Sequence, residues 1–302
     1  MIPDIDLAAV TAGDAQALEA LRVGARDVGF LTVYNTGVTA ADVEAVIAAY
    51  RAFFAQPYAV KAAVDMAATG ANRGWGAPRS EQVDPDANPD YKEVFDCGYE
   101  IAGSDLAVYA PNLWPEIPEG FRAAVQTYYA QALDVAMQVL RAIATVMGED
   151  AQSSTVQYFD DKFDQPMALL RGNFYPARPD WAGDRDFGIA AHTDYGCVTL
   201  LATDGVAGLE VLGRDGAWHA VAAAPGRFVI NFGEMLEMWT EGRVKATLHR
   251  VRGTAQERIS VPLFFNPNYD TNIAPAGAPP MSAGAHLTRR FEQTYLHLKD
   301  KP

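Results

Sequence analysis

Two histidines and one aspartate have the types and order of a metal-binding set. His192 and Asp194 stand two residues apart in IAAHTDYG, and His249 follows in the alternating segment KATLHRV. In a strand, or at the first turn beyond its end, this spacing points both side chains to one side. Two imidazoles and one carboxylate form the facial triad that binds Fe(II) and leaves positions open for substrate and O2. A zinc site with the same ligands is the alternative, because spacing alone does not distinguish the metals.

A second group of polar residues is typical of a carboxylate-binding site. In ERISVPLFF, Arg258 and Ser260 share one face of an alternating strand. An arginine offers planar bidentate donors and keeps its charge when buried, so this pair suits the carboxylate of a co-substrate. In LLRGNFYP the same period aligns Arg171, Asn173 and Tyr175. We expect Tyr175 to add its phenol to the clamp, and Arg171 is a candidate partner for an acidic substrate.

The predicted carboxylate-binding site, which lies apart from the metal-binding set, favours iron over zinc. A zinc hydrolase needs a general base and an activated water, whereas a dicarboxylate co-substrate needs a cation away from the metal. Glu234, near a predicted strand end, is interpreted as a surface or capping carboxylate rather than a general base. Lys92 and Glu93 are interpreted as a solvent-exposed or structural ion pair with no catalytic role.

Composition limits the class of partner. The 302 residues include 24 Lys and Arg against 38 Asp and Glu, a formal charge of −14. An acidic surface neither neutralises phosphates nor favours anionic lipids, so we expect a small-molecule substrate, with no nucleic acid and no membrane partner. No apolar run of about 18–20 residues and no cationic leader are apparent, and two cysteines are too few for a disulfide framework. These features predict a cytoplasmic protein, monomeric by default.

The elements that must position these residues differ between the two halves. Residues 1–150 are predicted to be mainly helical, with apolar residues at helical spacing in 40–66 and 118–147. Residues 151–302 are predicted to form the core, because from Ala168 onward many short alternating segments are separated by Gly, Asp-Gly and Pro. Such spacing favours a jelly-roll over a doubly wound sheet. The segment from Gly70 to Pro89 is predicted to be a loop, and we interpret it as a candidate lid.

A series of short motifs runs in order from Arg171 to Pro267. It comprises N-x-Y-P (173–176), H-x-D (192–194), GLEVLGRDGAWHAV, P-G-x-F-V-I-N-x-G (225–233), H-R-V (249–251) and R-x-S (258–260). In order and spacing the series resembles the isopenicillin N synthase-like branch of the Fe(II)/2-oxoglutarate-dependent oxygenases. The segments IPDIDL, GFLTVYNTGV, NRGW and YKEVFDCG extend the resemblance over nearly the whole chain.

The resemblance implies a mixed α and β fold whose core is a distorted jelly-roll, the double-stranded β-helix, flanked and buttressed by helices. It implies that His192, Asp194 and His249 bind the iron at the catalytic centre. One departure is Thr36, which replaces the histidine of the usual N-H-G-V motif. That histidine is not a metal ligand in the pattern, so the change bears on the subfamily and not on iron.

The resemblance further implies that Arg258 and Ser260 hold the distal carboxylate of 2-oxoglutarate with help from Tyr175, and we place Asn173 in the same cofactor-binding site. The implied reaction uses Fe(II), 2-oxoglutarate and O2. It couples oxidative decarboxylation of 2-oxoglutarate to succinate and CO2 with hydroxylation, desaturation or cyclisation of a small organic substrate. Leu201, Val251 and Phe264 are candidates for the wall of the substrate pocket.

Two other functions remain open from the sequence. An iron-dependent oxidase of the same fold would take its electrons from ascorbate or from the substrate itself and would not use 2-oxoglutarate. A non-catalytic binding module would keep the jelly-roll without turnover. The intact triad argues against the binding module, because folding does not require two imidazoles and a carboxylate to converge on one cavity.

Overall fold

The protein is described here by a computed structural model covering residues 2–68, 71–82, 88–147, 157–178, 180–183, 186–221 and 224–294. The strands are β1 (Asp4–Asp6), β2 (Phe30–Tyr34), β3 (Gly74–Gly76), β4 (Glu93–Gly98), β5 (Leu169–Tyr175), β6 (Ile189–His192), β7 (Val198–Thr203), β8 (Leu209–Leu212), β9 (Trp218–Ala220), β10 (Phe228–Phe232), β11 (His249–Val251) and β12 (Arg258–Phe265). The α-helices are α1 (Leu7–Thr11), α2 (Ala15–Val23), α3 (Ala40–Phe54), α4 (Tyr58–Ala62), α5 (Phe121–Met147), α6 (Glu234–Trp239) and α7 (Ala283–Thr294).

The strands form two sheets. The larger has the order β1-β2-β10-β7-β12-β5-β4-β3, and the smaller has the order β6-β11-β8-β9. Neighbouring strands are antiparallel except β1 and β2. A small apolar cluster that includes Tyr175, Leu201 and Val251 packs between the sheets. This is the jelly-roll architecture with flanking helices that the sequence predicts.

Helices α3 and α5 cover the outer face of the large sheet. Thr39 and Asp42 begin α3 with a reciprocal capping box, in which each side chain accepts a hydrogen bond from the other residue's backbone N–H. The buried face of α3 then brings Phe53 against two other aromatic rings, with centroid distances of 4.9 Å to Phe95 and 5.1 Å to Phe121. Because helices cover one face and the small sheet covers the other, β7 and β10 are buried along their whole length.

Within the described residues, one helix, Phe121–Met147, has the length and composition of a membrane span. Half of its apolar stretch is buried inside the protein, where it contacts α3, β7 and β12. Its apolar face therefore belongs to the main core of this fold.

The predicted division near residue 150 lies among residues 148–156, outside the described part, and stays a prediction. Strands β1 to β4 of the first half nevertheless belong to the large sheet.

The segment predicted as a loop from Gly70 to Pro89 contains the short strand β3, and Gly70 and residues 83–87 lie outside the described residues. Trp75 is buried in β3 and donates a hydrogen bond to Glu93, so this part of the segment is fixed against β4.

Candidate metal centre

The sheet pairing brings the three predicted metal ligands together. His192 ends β6 and lies directly opposite His249, the first residue of β11. Their ring centroids are 4.3 Å apart. Asp194 follows in the turn after β6, and its Oδ1 lies 3.7 Å from Nε2 of His192 and 3.6 Å from Nε2 of His249. One possible ligand atom from each of the three residues therefore lies within 4.8 Å of the other two.

The other ring nitrogen of each histidine bonds to a backbone carbonyl. Nδ1 of His192 lies 2.8 Å from the oxygen of Ala190, and Nδ1 of His249 lies 3.0 Å from the oxygen of Thr247. A carbonyl only accepts, so we assign the proton to Nδ1 in both rings. This tautomer leaves the Nε2 lone pairs directed at Asp194 and available to a metal.

Hydrogen bonds from two neighbouring side chains orient Asp194. Its Oδ2 accepts hydrogen bonds from Nδ2 of Asn231, at 2.6 Å, and from the hydroxyl of Thr199. Burial opposes ionisation of Asp194, but the two histidines and these two donors lower the pKa of its carboxyl. Oδ1 is left to face the imidazoles as an ionised ligand atom.

The donor set fits ferrous iron. Burial, together with the nearby His249, lowers the pKa of His192 to about 4, so its imidazole is neutral at neutral pH, as a metal ligand must be. Two imidazole nitrogens and one carboxylate oxygen within 4.8 Å of one another form the 2-His-1-carboxylate arrangement of non-haem iron sites.

The predicted carboxylate clamp lies in the same cavity, whose volume is about 780 Å³. Arg258 is 4% exposed, and its Nε donates to the carbonyl of Val206. Its Nη1 is buried and has no partner within the described part of the chain. Tyr175 lies opposite Arg258 in the sheet, with its ring centre 5.1 Å from the guanidinium carbon. A buried guanidinium with an unused donor requires a ligand that accepts hydrogen bonds.

The other two predicted clamp residues are also adjacent. Ser260 and Asn173 are paired across β12 and β5, and Nδ2 of Asn173 donates to Oγ of Ser260 over 3.4 Å. Oδ1 of Asn173 is buried without a partner among the described residues. All four clamp residues line the cavity that the metal ligands share.

Arg171 and Lys92 belong to a buried group of charges that we call the ion cluster: Glu81, Asp90, Lys92, Asp96 and Arg171. Arg171 makes a bidentate pair with Asp96, at 2.8 and 2.6 Å, and also bonds to Glu81 at 3.0 Å. Nζ of Lys92 lies 2.8 Å from a carboxylate oxygen of Glu81 and 2.8 Å from one of Asp90. Both cations are therefore matched by protein carboxylates.

This arrangement corrects the interpretation of Lys92 and Glu93 as one ion pair. Lys92 directly precedes β4 and enters the ion cluster, whereas Glu93, the first residue of β4, pairs with Lys61 at 2.6 Å. Burial alone would raise the pKa of Glu81, but Arg171 and Lys92 outweigh it and lower the pKa to about 2. For Asp90 burial prevails over Lys92 and raises the pKa to about 6.

The walls of the cavity come from separate parts of the chain. Leu201, Val251 and Phe264 line it, as predicted. Other parts of its wall come from four segments: 71–73, 107–108, 167–169 and the α7 residues Leu287, Thr288, Phe291 and Glu292. Glu234 begins α6 and accepts hydrogen bonds from Thr193 and Arg290, so it joins the metal-ligand turn to α7.

Sequence reasoning assigned no role to Thr199, Asn231 or the carboxylates of the ion cluster. The sequence did contain a signal for Asn231: in FVINFG, one amide side chain interrupts a run of apolar residues on a buried strand. Thr199 carried no comparable signal, because threonine is common in strands. The ion cluster joins residues from three separate segments, and only the fold reveals that they meet.

Comparisons with known proteins agree with this geometry. Residues 2–117 match a family model described as the N-terminal region of non-haem dioxygenase in morphine synthesis, and residues 166–267 match that of the 2OG-Fe(II) oxygenase superfamily. A 2-oxoglutarate-Fe(II) type oxidoreductase, hxnY of Emericella nidulans, is 33% identical over 83% of this chain and 76% of its own. A homoarginine-6-hydroxylase of rice is 31% identical over 86% of this chain and 80% of its own.

The solved structures point to the same group. The crystal structure of a full-length Neurospora crassa protein in complex with α-ketoglutarate has a TM-score of 0.85 and 28% identity, and covers 97% of this chain and 96% of that protein. A second structure of the same Neurospora crassa protein, with α-ketoglutarate and thymine, has a TM-score of 0.84 at the same identity and coverage.

The hydroxyl of Thr199 should contribute to metal affinity through Asp194. We expect Thr199→Val, which keeps the side-chain shape, to weaken Co(II) or Mn(II) binding roughly 10- to 100-fold, because Oδ2 of Asp194 loses one of its two donors. Titration of the metal into purified protein measures the effect. Thr32→Val is the control, because Thr32 of β2 donates its hydroxyl proton to Asp4 and is not among the described residues that line the cavity. It should bind the metal like the wild type; equal affinities for the two variants would contradict the role of Thr199.

Proposed function

Because this chain belongs to the 2OG-Fe(II) oxygenase superfamily, as a 2-oxoglutarate-dependent dioxygenase that uses Fe(II), 2-oxoglutarate and O2, we propose the residues that perform each task. His192, Asp194 and His249 hold the iron. The observation that carries this assignment is the convergence of three possible ligand atoms, within 4.8 Å of one another, in the cavity that the buried Arg258 also lines. Family membership favours this interpretation over the oxidase that does without 2-oxoglutarate.

Bound Fe(II), with 2-oxoglutarate and O2, supplies the oxidative decarboxylation that yields succinate and CO2 and is coupled to oxidation of a small organic substrate. The protein supplies position and environment. Arg258 and Ser260 bind the distal carboxylate of 2-oxoglutarate, with Tyr175 and Asn173 beside them. The carbonyls behind His192 and His249 hold each Nε2 in place. Leu201, Val251 and Phe264 line the cavity and limit the entry of water.

Replacing Arg258 should separate co-substrate binding from metal binding. Arg258→Gln removes the buried cation, so we expect 2-oxoglutarate to bind at least 100-fold more weakly while Co(II) affinity stays near that of the wild type. Visible absorption of the anaerobic Fe(II)–2-oxoglutarate complex measures the first quantity, and metal titration measures the second.

Arg227→Gln is the matched control, since Arg227 forms an exposed ion pair with Asp4 far from the cavity. It should leave both affinities unchanged. The assignment is wrong if wild-type protein with Fe(II) and 2-oxoglutarate shows neither the absorption band nor slow succinate formation, or if Arg258→Gln retains normal 2-oxoglutarate affinity.

We further propose that the substrate is a small organic molecule without a carboxylate. Apart from Arg258, the cations of the cavity wall are largely engaged. Lys92 and Arg171 are paired in the ion cluster, and Arg73 donates to the carbonyls of Asn72 and Val108, which leaves only its Nε buried without a partner among the described residues. The expectation that Arg171 pairs with an acidic substrate is therefore not supported. A single N–H of Arg73 does not offer the paired donors of a carboxylate clamp, and a further anion near the three buried carboxylates of the ion cluster would be repelled by them.

The side chain of Asn72 supports an uncharged polar substrate. Asn72 lines the cavity, and its Oδ1 is buried without a partner within the described part of the chain. An amide both donates and accepts, so it suits a ligand with amide-like groups. Thymine, which is bound in the second Neurospora crassa structure, has this chemistry, whereas homoarginine, after which the rice relative is named, carries a carboxylate.

Benzamide and benzoate, which match in size and differ in charge, test the substrate class. We expect benzamide to bind the Co(II)–2-oxoglutarate-loaded protein at least tenfold more tightly than benzoate, and Asn72→Leu to reduce the difference. Ligand-observed NMR titration measures both affinities. Equal or tighter binding of benzoate would show that the cavity accepts acids.

We retain a cytoplasmic location and a monomeric state as proposals, together with the absence of nucleic-acid and membrane partners. The formal charge of −14 supports the monomer and the absence of these partners, because it opposes self-association and contact with phosphate-rich surfaces. Light scattering on purified protein at physiological salt measures the oligomeric state, and a mass of two chains would contradict the monomer.

A further inference from the structure

Strand β6 is irregular where it carries His192. It lies at the edge of the small sheet, with β11 as its neighbour. His192 pairs with His249, but Ile189 pairs with Val251, so two residues of β6 face the single residue Arg250. This is the two-against-one count of a β-bulge, which re-aims side chains and leaves a backbone group outside the ladder.

The bulge is tied to a buried carboxylate. The backbone N–H of Ala190, one of the two bulge residues, donates to Oδ1 of Asp90 over 3.3 Å. The carbonyl of the same residue accepts the Nδ1 proton of His192 over 2.8 Å. Asp90 thus fixes the residue against which the imidazole is oriented. Asp90 itself is 1% exposed, so its carboxylate is shielded from bulk water.

Asp90 is in turn fixed to the large sheet. Its other carboxylate oxygen bonds to Lys92, Lys92 bonds to Glu81, and Glu81 bonds to Arg171 of β5. The backbone N–H of Asp90 also donates to the carbonyl of Glu81 at 3.0 Å. The ion cluster therefore spans the two sheets and connects strand β6 to strands β4 and β5.

We propose that Asp90 is a positioning residue for the metal ligand His192: its carboxylate holds the bulge of β6, and Lys92 holds that carboxylate. This inference rests on the proposed role of His192 in binding iron. It assigns to the ion cluster a task other than substrate binding, in agreement with the saturation of its cations by protein carboxylates.

Asp96 provides the contrast that separates positioning from general stability. It is as buried as Asp90 and belongs to the same cluster, but its carboxylate bonds to Arg171 on the large sheet, and no hydrogen bond joins it to β6 among the described residues. A purely structural cluster would make the two carboxylates equivalent for metal binding. A positioning role makes only Asp90 important.

The test compares Co(II) affinity and the visible d–d spectrum of the bound Co(II) in four proteins. Relative to the wild type, we expect Asp90→Ala to weaken Co(II) binding roughly 10- to 100-fold and to alter the spectrum. Asp90→Asn should recover part of the affinity, because its amide oxygen still accepts from the N–H of Ala190, although its amide nitrogen cannot accept from Lys92. Asp96→Ala should leave affinity and spectrum near the wild type, although it lowers stability.

Normal Co(II) affinity in Asp90→Ala, or equal weakening in Asp96→Ala, would overturn the proposal. If the alanine variants do not fold, hydrogen exchange provides the test. In the wild-type protein the backbone amide of Ala190 should be protected from exchange. In the Asp90→Asn variant the same amide should exchange faster. An unprotected amide in the wild type would also overturn it. Failure of the wild type to bind Co(II) would instead contradict the metal site itself.

Discussion

The cross-strand pairing of His192 with His249 is the constraint on which the site depends. Side chains alternate along a strand, so a slip of one residue between β6 and β11 would turn one imidazole to the opposite face. Within the correct register, each ring is then rotated into place by a carbonyl of its own strand or of the residues just before it. The third ligand needs no strand, because Asn231 and Thr199 orient Asp194 from the neighbouring sheet.

Burial of charge is the second organising feature. The fold places five ionisable side chains of the ion cluster where almost no water reaches them, which is costly unless each charge has partners. The cluster meets this condition internally, through contacts of 2.6 to 3.0 Å among its members. Arg258 differs, because part of its guanidinium lacks a partner in the portion of the chain that the structure describes. The charges of the ion cluster are thus paired within the protein, whereas Arg258 keeps a donor that a ligand can use.

The sequence predicted the strands that carry chemistry because their alternation is regular and their functional residues recur in a fixed order. His192, Asp194, His249 and the Arg258–Ser260 pair were all found in this way, and the structure brings them into one cavity. The partners of these residues were harder to predict. The pairing of Lys92 with Glu93 was predicted wrongly, because the partners of both residues, Glu81 and Asp90 for Lys92 and Lys61 for Glu93, come together only in the fold. The contact from Asp90 to Ala190 spans 100 positions and depends on a bulge that no local pattern announces.

The cavity is built by two kinds of chain segment. The proposed metal ligands and the proposed carboxylate clamp lie on or next to strands of the two sheets, whereas other parts of the cavity wall come from residues 71–73, 107–108 and helix α7. Changes in those other parts would alter which molecules are admitted while leaving the shared chemistry intact. Related proteins can therefore acquire different substrate preferences through substitutions in these segments, while the residues around the metal stay the same.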